Sequence, residues 1–382
     1  MPVLGRTVPV KCDYANCGPA RRQAWTSAPN WGKRVFNHRD LMLLLSESDV
    51  RALVGYRDIG RAADALIPAL REWASGQAAA LPRVHLEYPP GRGYWDGLFL
   101  RMLPAVSPSL GTAGFRVYGA VHTTRSETLL KGRQAAPVGR PELILLYETG
   151  RMDLLALISD HWLHVIRTAA PTALAIRSLA PAGAQTVALY GAGRHARGQV
   201  SAACVERPVR RVQVFSPSAS NREALCREME QEFQVDFAPV ATPEEAARGA
   251  QVVLLATNSR EPVVRQEWLE QDVLVTSIQP GEISADLVQT ARCVVVESKS
   301  QALYDDPPRE PFASLLKRGA LRESELLSLT DVIPVPGASP QGRPDRSVFV
   351  SSGSGVWDLA IGTWLYRLAL ERGMGQELKY LD

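Results

Sequence analysis

The segment TVALYGAGRHA, residues 186–196, decides the fold. Its first five residues predict a buried strand, and two glycines and an alanine follow at the spacing GxGxxA. Gly191 suits a tight turn, Gly193 lets a pyrophosphate approach the backbone, and Ala196 allows the next helix to pack closely. The N-terminus of that helix offers free N–H groups to phosphates. Because the motif stands between a predicted strand and a predicted helix, it predicts a dinucleotide-binding turn.

Strands and helices alternate around this turn. Thr242, Pro243 and Glu245 form a helix start with an N-cap, an N1 proline and an acidic N3 residue. Strands that are nearly continuous runs of Val and Leu indicate a parallel sheet covered on both faces. The chain is therefore predicted to be an α/β protein with a Rossmann-type dinucleotide-binding domain at 179–311. The other predicted strands are 211–215, 251–256, 273–277 and 293–297, and the predicted helices include 197–206 and 221–233.

The segments on either side predict a second domain of α+β type, formed from N- and C-terminal parts. Residues 41–178 contain strands and helices, among them helices at 59–74 and 161–179 and one capped near Ser46. Residues 312–382, with helical patterns at 314–329 and 356–372, are expected to return to this domain. Residues 1–40 lack sustained periodicity and predict an irregular N-terminal extension.

Composition excludes several classes of protein. With 43 basic and 40 acidic residues among 382, the net charge is +3. This is too small an excess of positive charge to indicate binding to nucleic acid or to a membrane surface. The first residues lack an apolar core of signal-peptide length, and the five cysteines are scattered, which favours a reducing cytoplasm. Cys12 and Cys17 are interpreted as loop cysteines, and His161 and His164 as packing or solvent contacts. No metal is expected.

The end of the second Rossmann strand predicts the cofactor. NAD sites usually place a carboxylate there for the ribose hydroxyls, whereas this strand is followed by Ser216 and Ser218, with Arg222 nearby. Hydroxyls and an arginine suit a 2′-phosphate, so NADP(H) is preferred and NAD(H) is possible. The alternative is that Arg222 is a solvated residue in the first turn of a helix.

Several linked motifs resemble the ornithine cyclodeaminase/μ-crystallin family. The resemblance covers roughly 41–382, and the motifs stand in the family's order. They are IRTAAPTALA at 166–175, GAGRHAR at 191–197, EEA at 244–246, ATNSREPV at 256–263, WL at 268–269, FVSSG at 349–353 and DLA at 358–360.

This resemblance implies an oxidoreductase that binds an amino-acid-like carboxylate beside a nicotinamide. It also implies a homodimer built by the second domain, which is then a substrate and dimerisation domain, and an active site between the two domains. Ser351 resembles the serine near the nicotinamide. The full set of expected cofactor-binding residues is Thr168, Gly191, Ala192, Gly193, Arg194, His195, Ser216, Ser218, Arg222, Thr257, Asn258, Ser277, Ile278 and Ser351.

The substrate side of the site is expected to be rich in arginine. By resemblance, Arg167 meets the substrate carboxylate, Arg83 is a second carboxylate-binding arginine, and Ser352 faces the substrate. Arg116 replaces the family's active-site lysine. A guanidinium can clamp a carboxylate but stays charged, so it is a poor acid or base. Three arginines would suit a substrate with more than one carboxylate.

The proton-handling group is left open by the sequence. Cyclodeaminases of this family carry an aspartate that activates water after the fifth strand, and 276–283, TSIQPGEI, has none. Glu282 could substitute for it or be an ordinary helix-start residue, and His122 is a reserve candidate. These features favour hydride transfer to or from the C–N carbon of an amino acid, imino acid or imine conjugate. The alternatives are a cyclodeaminase that releases ammonia and a non-catalytic NADPH-binding relative.

Overall fold

The computed structural model describes residues 41–88, 97–122, 142–259, 261–279, 281–297, 299, 302, 310–333, 345–351 and 353–380. The predicted extension at 1–40, with Cys12 and Cys17, lies outside these residues. Within them, no helix is both long enough and apolar enough to cross a membrane.

The first sheet is mostly antiparallel and has the strand order β16-β1-β7-β6-β5-β4-β2, with β3 paired to β4. Only β1 and β7 run parallel to each other among its pairs. Since β16 comes from the end of the chain and pairs with β1, the C-terminal part returns to this domain as predicted. The strands are Leu41–Leu45 (β1), Ala79–Ala80 (β2), Val84–Tyr88 (β3), Gly97–Ser107 (β4), Thr112–His122 (β5), Glu142–Glu148 (β6), Leu154–Ser159 (β7) and Gln376–Lys379 (β16).

One face of this sheet is covered by helices. The sequence pattern located α2 correctly, because its apolar residues recur at helical spacing and are buried. Ser46 caps α1 through a hydrogen bond from the Asp49 N–H, within a capping box. The helix α10 packs against β6, where a methyl group on Gly362 would lie 3.1 Å from Ile144. These helices are Glu47–Leu53 (α1), Ile59–Ala74 (α2), Asp160–Leu179 (α3) and Gly355–Arg372 (α10).

The second sheet is parallel, with the order β10-β9-β8-β11-β12-β15-β13-β14, and confirms the Rossmann-type prediction. Its central strands are buried along their whole length, as a sheet covered on both faces requires. The strands are Thr186–Tyr190 (β8), Arg211–Phe215 (β9), Asp236–Pro239 (β10), Val252–Leu255 (β11), Leu274–Ser277 (β12), Cys293–Val296 (β13), Leu326–Ser328 (β14) and Ser347–Val350 (β15). Its helices are Arg194–Glu206 (α4), Ala219–Phe233 (α5), Pro243–Ala247 (α6), Ala285–Thr290 (α7), Phe312–Lys317 (α8) and Leu329–Val332 (α9).

The region after residue 311 differs from the sequence expectation. The helix predicted at 314–329 is instead a short helix, the strand β14 and another short helix. Both β14 and β15 extend the parallel sheet, and Phe312 and Leu326 join its apolar core. The parallel sheet therefore continues past the expected domain boundary between 311 and 312. The physical reason is that Phe312 and Leu326 are buried in the apolar core of this sheet. The division into domains otherwise stays a prediction.

Candidate functional site

The glycine turn has the backbone that a dinucleotide site needs. Gly191 has a φ of +106°, and its N–H donates to the Phe215 carbonyl at 2.8 Å. A Cβ at this position would lie 2.3 Å from the Ala256 carbonyl oxygen, so only glycine fits. Gly193 is the N-cap of α4, has no side-chain cap, and has open space where a Cβ would be. The uncapped helix terminus beside open space fits a pyrophosphate.

Helix α3 joins the glycine turn to the first domain. It follows β7 directly and packs closely on α4, because a Cβ on Gly198 would meet a Val165 methyl carbon at 2.7 Å. Gln199 of α4 donates to the Thr168 carbonyl at 3.3 Å, and the buried Thr168 hydroxyl makes no hydrogen bond. Thr168, an expected cofactor residue, is thereby held beside the turn.

The residues expected to select the cofactor gather at the end of β9. Ser216 is buried and its carbonyl accepts a hydrogen bond from Arg222 at 2.8 Å. Ser218 caps α5 by accepting from the Asn221 N–H. The Arg222 Nε is buried and makes no hydrogen bond. No carboxylate occurs in the described loop at 216–218 between β9 and α5.

Glu282 ties together the ends of β11 and β12, and β15 is joined to them through Ser277. Its carboxylate accepts from the Thr257 N–H at 2.6 Å, the Thr257 hydroxyl at 2.7 Å and the Ser277 hydroxyl at 2.7 Å. The Gln279 N–H adds a fourth bond at 3.2 Å. Ser351, after β15, donates its N–H to the Ser277 carbonyl at 2.9 Å. Four of the expected cofactor residues thus lie at one edge of the sheet: Thr257, Asn258, Ser277 and Ser351, with Ile278 next to them.

This geometry gives Glu282 a structural role, and the expectation that it could handle a proton stays a prediction. Burial raises the pKa of its carboxyl, while the hydrogen bonds from Ser277 and Thr257 oppose that rise. The side chain is fully buried and its oxygens are occupied by groups of its own domain. Its role is to hold the loops after β11 and β12, a contact between residues 25 apart in sequence that no local pattern could indicate.

The predicted arginines lie in a buried network of charges. Arg116 on β5 pairs with Asp160 at the start of α3 and with Glu142 on β6, the latter at 2.7 Å. The Arg167 Nε lies 3.0 Å from an Asp358 oxygen and 3.4 Å from an Asp160 oxygen. In the sequence, Asp160 directly precedes the helix predicted at 161–179, and Asp358 stands in the DLA motif. Neither gave any local sign of the arginines that they meet.

The network changes the expectation for Arg116. Burial opposes its charge, but Asp160, Asp358 and Glu142 outweigh that effect and raise its pKa, so it stays cationic. Because two carboxylates of the protein already occupy the guanidinium, it is a structural partner rather than an open clamp. For Asp358, in contrast to Arg116, burial outweighs the neighbouring charges. It raises the pKa of the Asp358 carboxyl to about 6, against the lowering effect of Arg167 and Arg116.

Two histidines connect this network to the glycine turn. The His164 Nδ1 lies 2.8 Å from a Glu142 carboxylate oxygen. The rings of His164 and His195 pack edge to face, with 4.7 Å between their centroids. Arg194 donates to the His161 carbonyl at 3.1 Å. Burial, followed by the positive charges of Arg194 and Arg167, lowers the pKa of His195 to about 3. His164 was not among the predicted site residues, since its partners come from a distant strand.

The remaining predicted residues have different outcomes. Arg83, before β3, lies near Gly353: its guanidinium nitrogen is 3.5 Å from where a Cβ on that glycine would stand. Arg83 also acts electrostatically on Asp358. Ser352 lies outside the described residues. His122 ends β5, and its side chain is outside the described part of the chain.

Three of the site's side chains have ligand-type atoms close enough for a metal ion. One carboxylate oxygen each of Glu142 and Asp160 and one ring nitrogen of His164 lie within 4.8 Å of one another. Arg116 binds both carboxylates of this group, so its guanidinium supplies the positive charge there. The arrangement is therefore explained by an ion-pair network.

Comparisons with known proteins show the family and the fold of the chain. The family model for the ornithine cyclodeaminase/mu-crystallin family matches residues 43–370. A Delta(1)-pyrroline-2-carboxylate reductase of Bacillus cereus is 25% identical, over 89% of this chain and all of its own. A probable ornithine cyclodeaminase from Bordetella pertussis has a TM-score of 0.72 at 25% identity, over 87% of this chain and 98% of its own. An archaeal alanine dehydrogenase dimer with bound NAD has a TM-score of 0.74 at 22% identity, over 89% of this chain and 100% of its own. The chain belongs to the ornithine cyclodeaminase/mu-crystallin family.

Proposed function

We propose that the protein is an NADP(H)-dependent oxidoreductase that transfers a hydride to or from the C–N carbon of an amino acid, imino acid or imine conjugate. One observation carries the proposal: the uncapped glycine turn adjoins, through α3, the buried network that contains Arg167. A pyrroline-carboxylate reductase is among the relatives, which supports an imine substrate that carries a carboxylate.

The cofactor, when bound, supplies or accepts the hydride. The protein's part is to hold it across the carboxyl edge of the parallel sheet, with the pyrophosphate at Gly191–Gly193 and the N-terminus of α4. By the family resemblance, the nicotinamide end lies near Ser351. The hydrogen bonds around Glu282 support this role by fixing the loops that carry Thr257 and Ser277.

Arg167 and Arg83 are the proposed binding groups for the substrate carboxylate. A guanidinium binds a carboxylate through two parallel hydrogen bonds. Glu142 and Asp160 hold Arg116 through hydrogen bonds, whereas the buried Arg167 Nε makes none, although it lies near Asp358 and Asp160. This favours a substrate with one carboxylate at the reacting end over the dicarboxylate that three arginines suggested.

NADP(H) is the proposed cofactor, with NAD(H) as a weaker one. Arg222 is held against the end of β9 by its bond to the Ser216 carbonyl, close to where a ribose 2′-phosphate would lie. A carboxylate at this point would repel that phosphate, and the loop 216–218 contains none.

A homodimer is proposed from the uncovered face of the first sheet. Directly opposed pairs on β3 and β4, Val84 with Met102, Leu86 with Leu100 and Tyr88 with Leu98, form an apolar surface. Leu86 and Tyr88 are 57% and 70% exposed. A continuous apolar patch of this kind marks an interaction site. The archaeal neighbour of the same fold, itself a dimer, makes a second copy the proposed occupant.

A cytoplasmic location is proposed from the cysteines. Within the residues that the structure describes, Cys204 and Cys226 are free cysteines. Burial raises the pKa of Cys204 to about 12 and that of Cys226 to about 11, so these thiols stay protonated. Unpaired thiols are typical of a reducing compartment, and cell fractionation with an antibody tests the location.

The function is tested by cofactor titration and by turnover. Tryptophan fluorescence of the purified protein is followed while NADPH or NADH is added, and then Δ1-pyrroline-2-carboxylate and the reduced cofactor are mixed with it. The proposal expects tighter binding of NADPH and consumption of the reduced nicotinamide. Ammonia release from ornithine without net cofactor consumption would indicate a cyclodeaminase instead. Cofactor binding without any turnover would indicate a non-catalytic relative. If neither NADPH nor NADH binds and no turnover is seen, the cofactor site is rejected.

A further inference from the structure

His164 is a titratable group of the site that the proposed function leaves without a role. It projects from α3 one turn before Arg167, and its Nδ1 lies 2.8 Å from the Glu142 Oε2. The same nitrogen lies 3.3 Å from a guanidinium nitrogen of Arg116 and 3.4 Å from one of Arg194. The imidazole therefore stands where the arginine network meets the glycine turn.

These distances identify the tautomer of the ring. A carboxylate only accepts hydrogen bonds and a guanidinium only donates them, so Nδ1 cannot satisfy both kinds of neighbour. The Glu142 contact is the shortest of the three. The Arg116 nitrogen has a nearer acceptor in Glu142 at 2.7 Å, and Arg194 donates through its other terminal nitrogen to the His161 carbonyl at 3.1 Å. The Nδ1–H therefore donates to Glu142, and Nε2 carries the lone pair of the ring.

His164 is also among the accessible members of the network. Its side chain is 21% exposed and that of Glu142 is 17% exposed, whereas Arg116 is 3%, Asp358 1% and Asp160 0% exposed. A group that exchanges protons with a substrate must be reachable. Arg116 is excluded because a guanidinium does not give up its proton at ordinary pH.

The charges around the ring favour its neutral form. Burial has the largest effect, and positive charges face it from Arg167 on its own helix, Arg116 on β5, and His195 and Arg194 on α4. Together they lower the pKa of His164 well below its ordinary value, while Glu142 and Asp160 supply the opposing negative charge. A neutral imidazole carries one N–H and one nitrogen lone pair, and the lone pair can accept a proton.

We propose that His164, oriented by Glu142, is the proton-transfer group of the hydride reaction, an inference that rests on the proposed function. In the oxidative direction, Nε2 takes a proton from the substrate ammonium. The C–H bond then breaks as the hydride passes to the oxidised nicotinamide, and the nitrogen lone pair forms the C=N bond. The substrate loses two electrons, which the cofactor gains. In reduction, Nε2 first takes a proton from solvent water; the carbon then receives the hydride, and the imidazolium passes its Nε2 proton to the nitrogen.

Three variants test this role by turnover. His164→Asn keeps an N–H donor for Glu142 but removes Nε2, and His164→Ala leaves room for added imidazole. His161→Asn is the matched control, since His161 is an exposed residue on the same helix. With Δ1-pyrroline-2-carboxylate and NADPH, kcat of His164→Asn should fall by about 100-fold or more. Imidazole should partly restore His164→Ala, while NADPH binding and the control's kcat stay close to those of the wild type.

An NMR measurement gives a readout that does not depend on turnover. Nitrogen-15 spectra of the side chains of the 6 histidines, with His164→Asn used for assignment, report the tautomer at neutral pH. The expected result is a neutral ring protonated at Nδ1. A ring protonated at Nε2, a kcat of His164→Asn within about threefold of the wild type, or no imidazole rescue each overturns the proposal. A wild-type protein that shows the expected tautomer but no turnover contradicts the proposed function instead.

Discussion

Arg116 and Asp160 form an ion pair that is buried at both ends, with side-chain exposures of 3% and 0%. Asp160 also lies 3.4 Å from Arg167, so one carboxylate serves two guanidinium groups from different elements. Removing one partner of such a pair leaves a buried charge without compensation, which is costly.

Replacing Asp160 by Asn should therefore destabilise the protein strongly. We expect the free energy of unfolding to fall by about 3–5 kcal/mol, because two buried arginines lose their shared carboxylate. Asp236→Asn, which breaks an exposed pair with Arg211, should cost at most about 1 kcal/mol. Urea denaturation of the two variants gives the comparison, and equal losses would contradict the assigned importance of burial.

Replacing Arg167 by Ala should abolish turnover while leaving the cofactor site intact. We expect kcat/KM to fall at least about 100-fold, because the fork that binds the substrate carboxylate is gone. Arg167→Lys, which keeps a charge for Asp160 and Asp358, separates this effect from misfolding. A near-wild-type kcat/KM for either variant, measured with Δ1-pyrroline-2-carboxylate, would remove Arg167 from the substrate site.

Replacing Arg222 by Ala should change the cofactor preference. The dissociation constant for NADPH should rise about tenfold, the cost of one lost charge-assisted contact, and that for NADH should stay unchanged. Arg227, an exposed arginine on the same helix, gives the control variant Arg227→Ala. Fluorescence titration measures both constants, and a parallel loss of NADH affinity would point to general damage.

Acid should destabilise the protein partly through His195. Its pKa is lowered from 6.5 to about 3 in the folded protein, so the folded state resists protonation that the unfolded state accepts. The stability that this residue contributes is present above pH 6.5 and is lost as the pH falls toward 3, by at most about 1.4 kcal/mol per pH unit. His195→Gln should therefore lose less stability than the wild type between these pH values in urea titrations. Identical slopes for the two proteins would contradict the lowered pKa.

A charge on the exposed face of β3 should separate the proposed dimer. Leu86→Glu is expected to be a monomer in light scattering after gel filtration, since the charge would be buried without a partner. Leu370→Glu, at an exposed leucine on α10, should keep the wild-type mass. A wild-type protein that is monomeric, or a Leu86→Glu variant that remains dimeric, would show that this face is not the interface.

The features that the sequence by itself determined are local. TVALY followed by GAGRHA specified the strand, turn and helix at 186–206, because a positive φ at Gly191 and a continuous apolar strand are properties of neighbouring residues. Helix α2 and most strands of the parallel sheet were predictable for the same reason. The three-residue strand β14 was not, since so short a segment carries no period and is held by its neighbour β13.

Only the tertiary structure decided what the charged residues do. Glu142 and Asp160 follow Arg116 by 26 and 44 positions along the chain. The pairing of β5 with β6 brings Glu142 to Arg116, and the start of α3 brings Asp160 to it. Contacts between other distant segments make Glu282 a link between the ends of β11 and β12 and give His164 its carboxylate. The sequence determines which side chains carry ionisable groups. Which groups pair with them, and in which direction their pKa values shift, depends on packing between distant segments, because electrostatic effects depend on distance and burial.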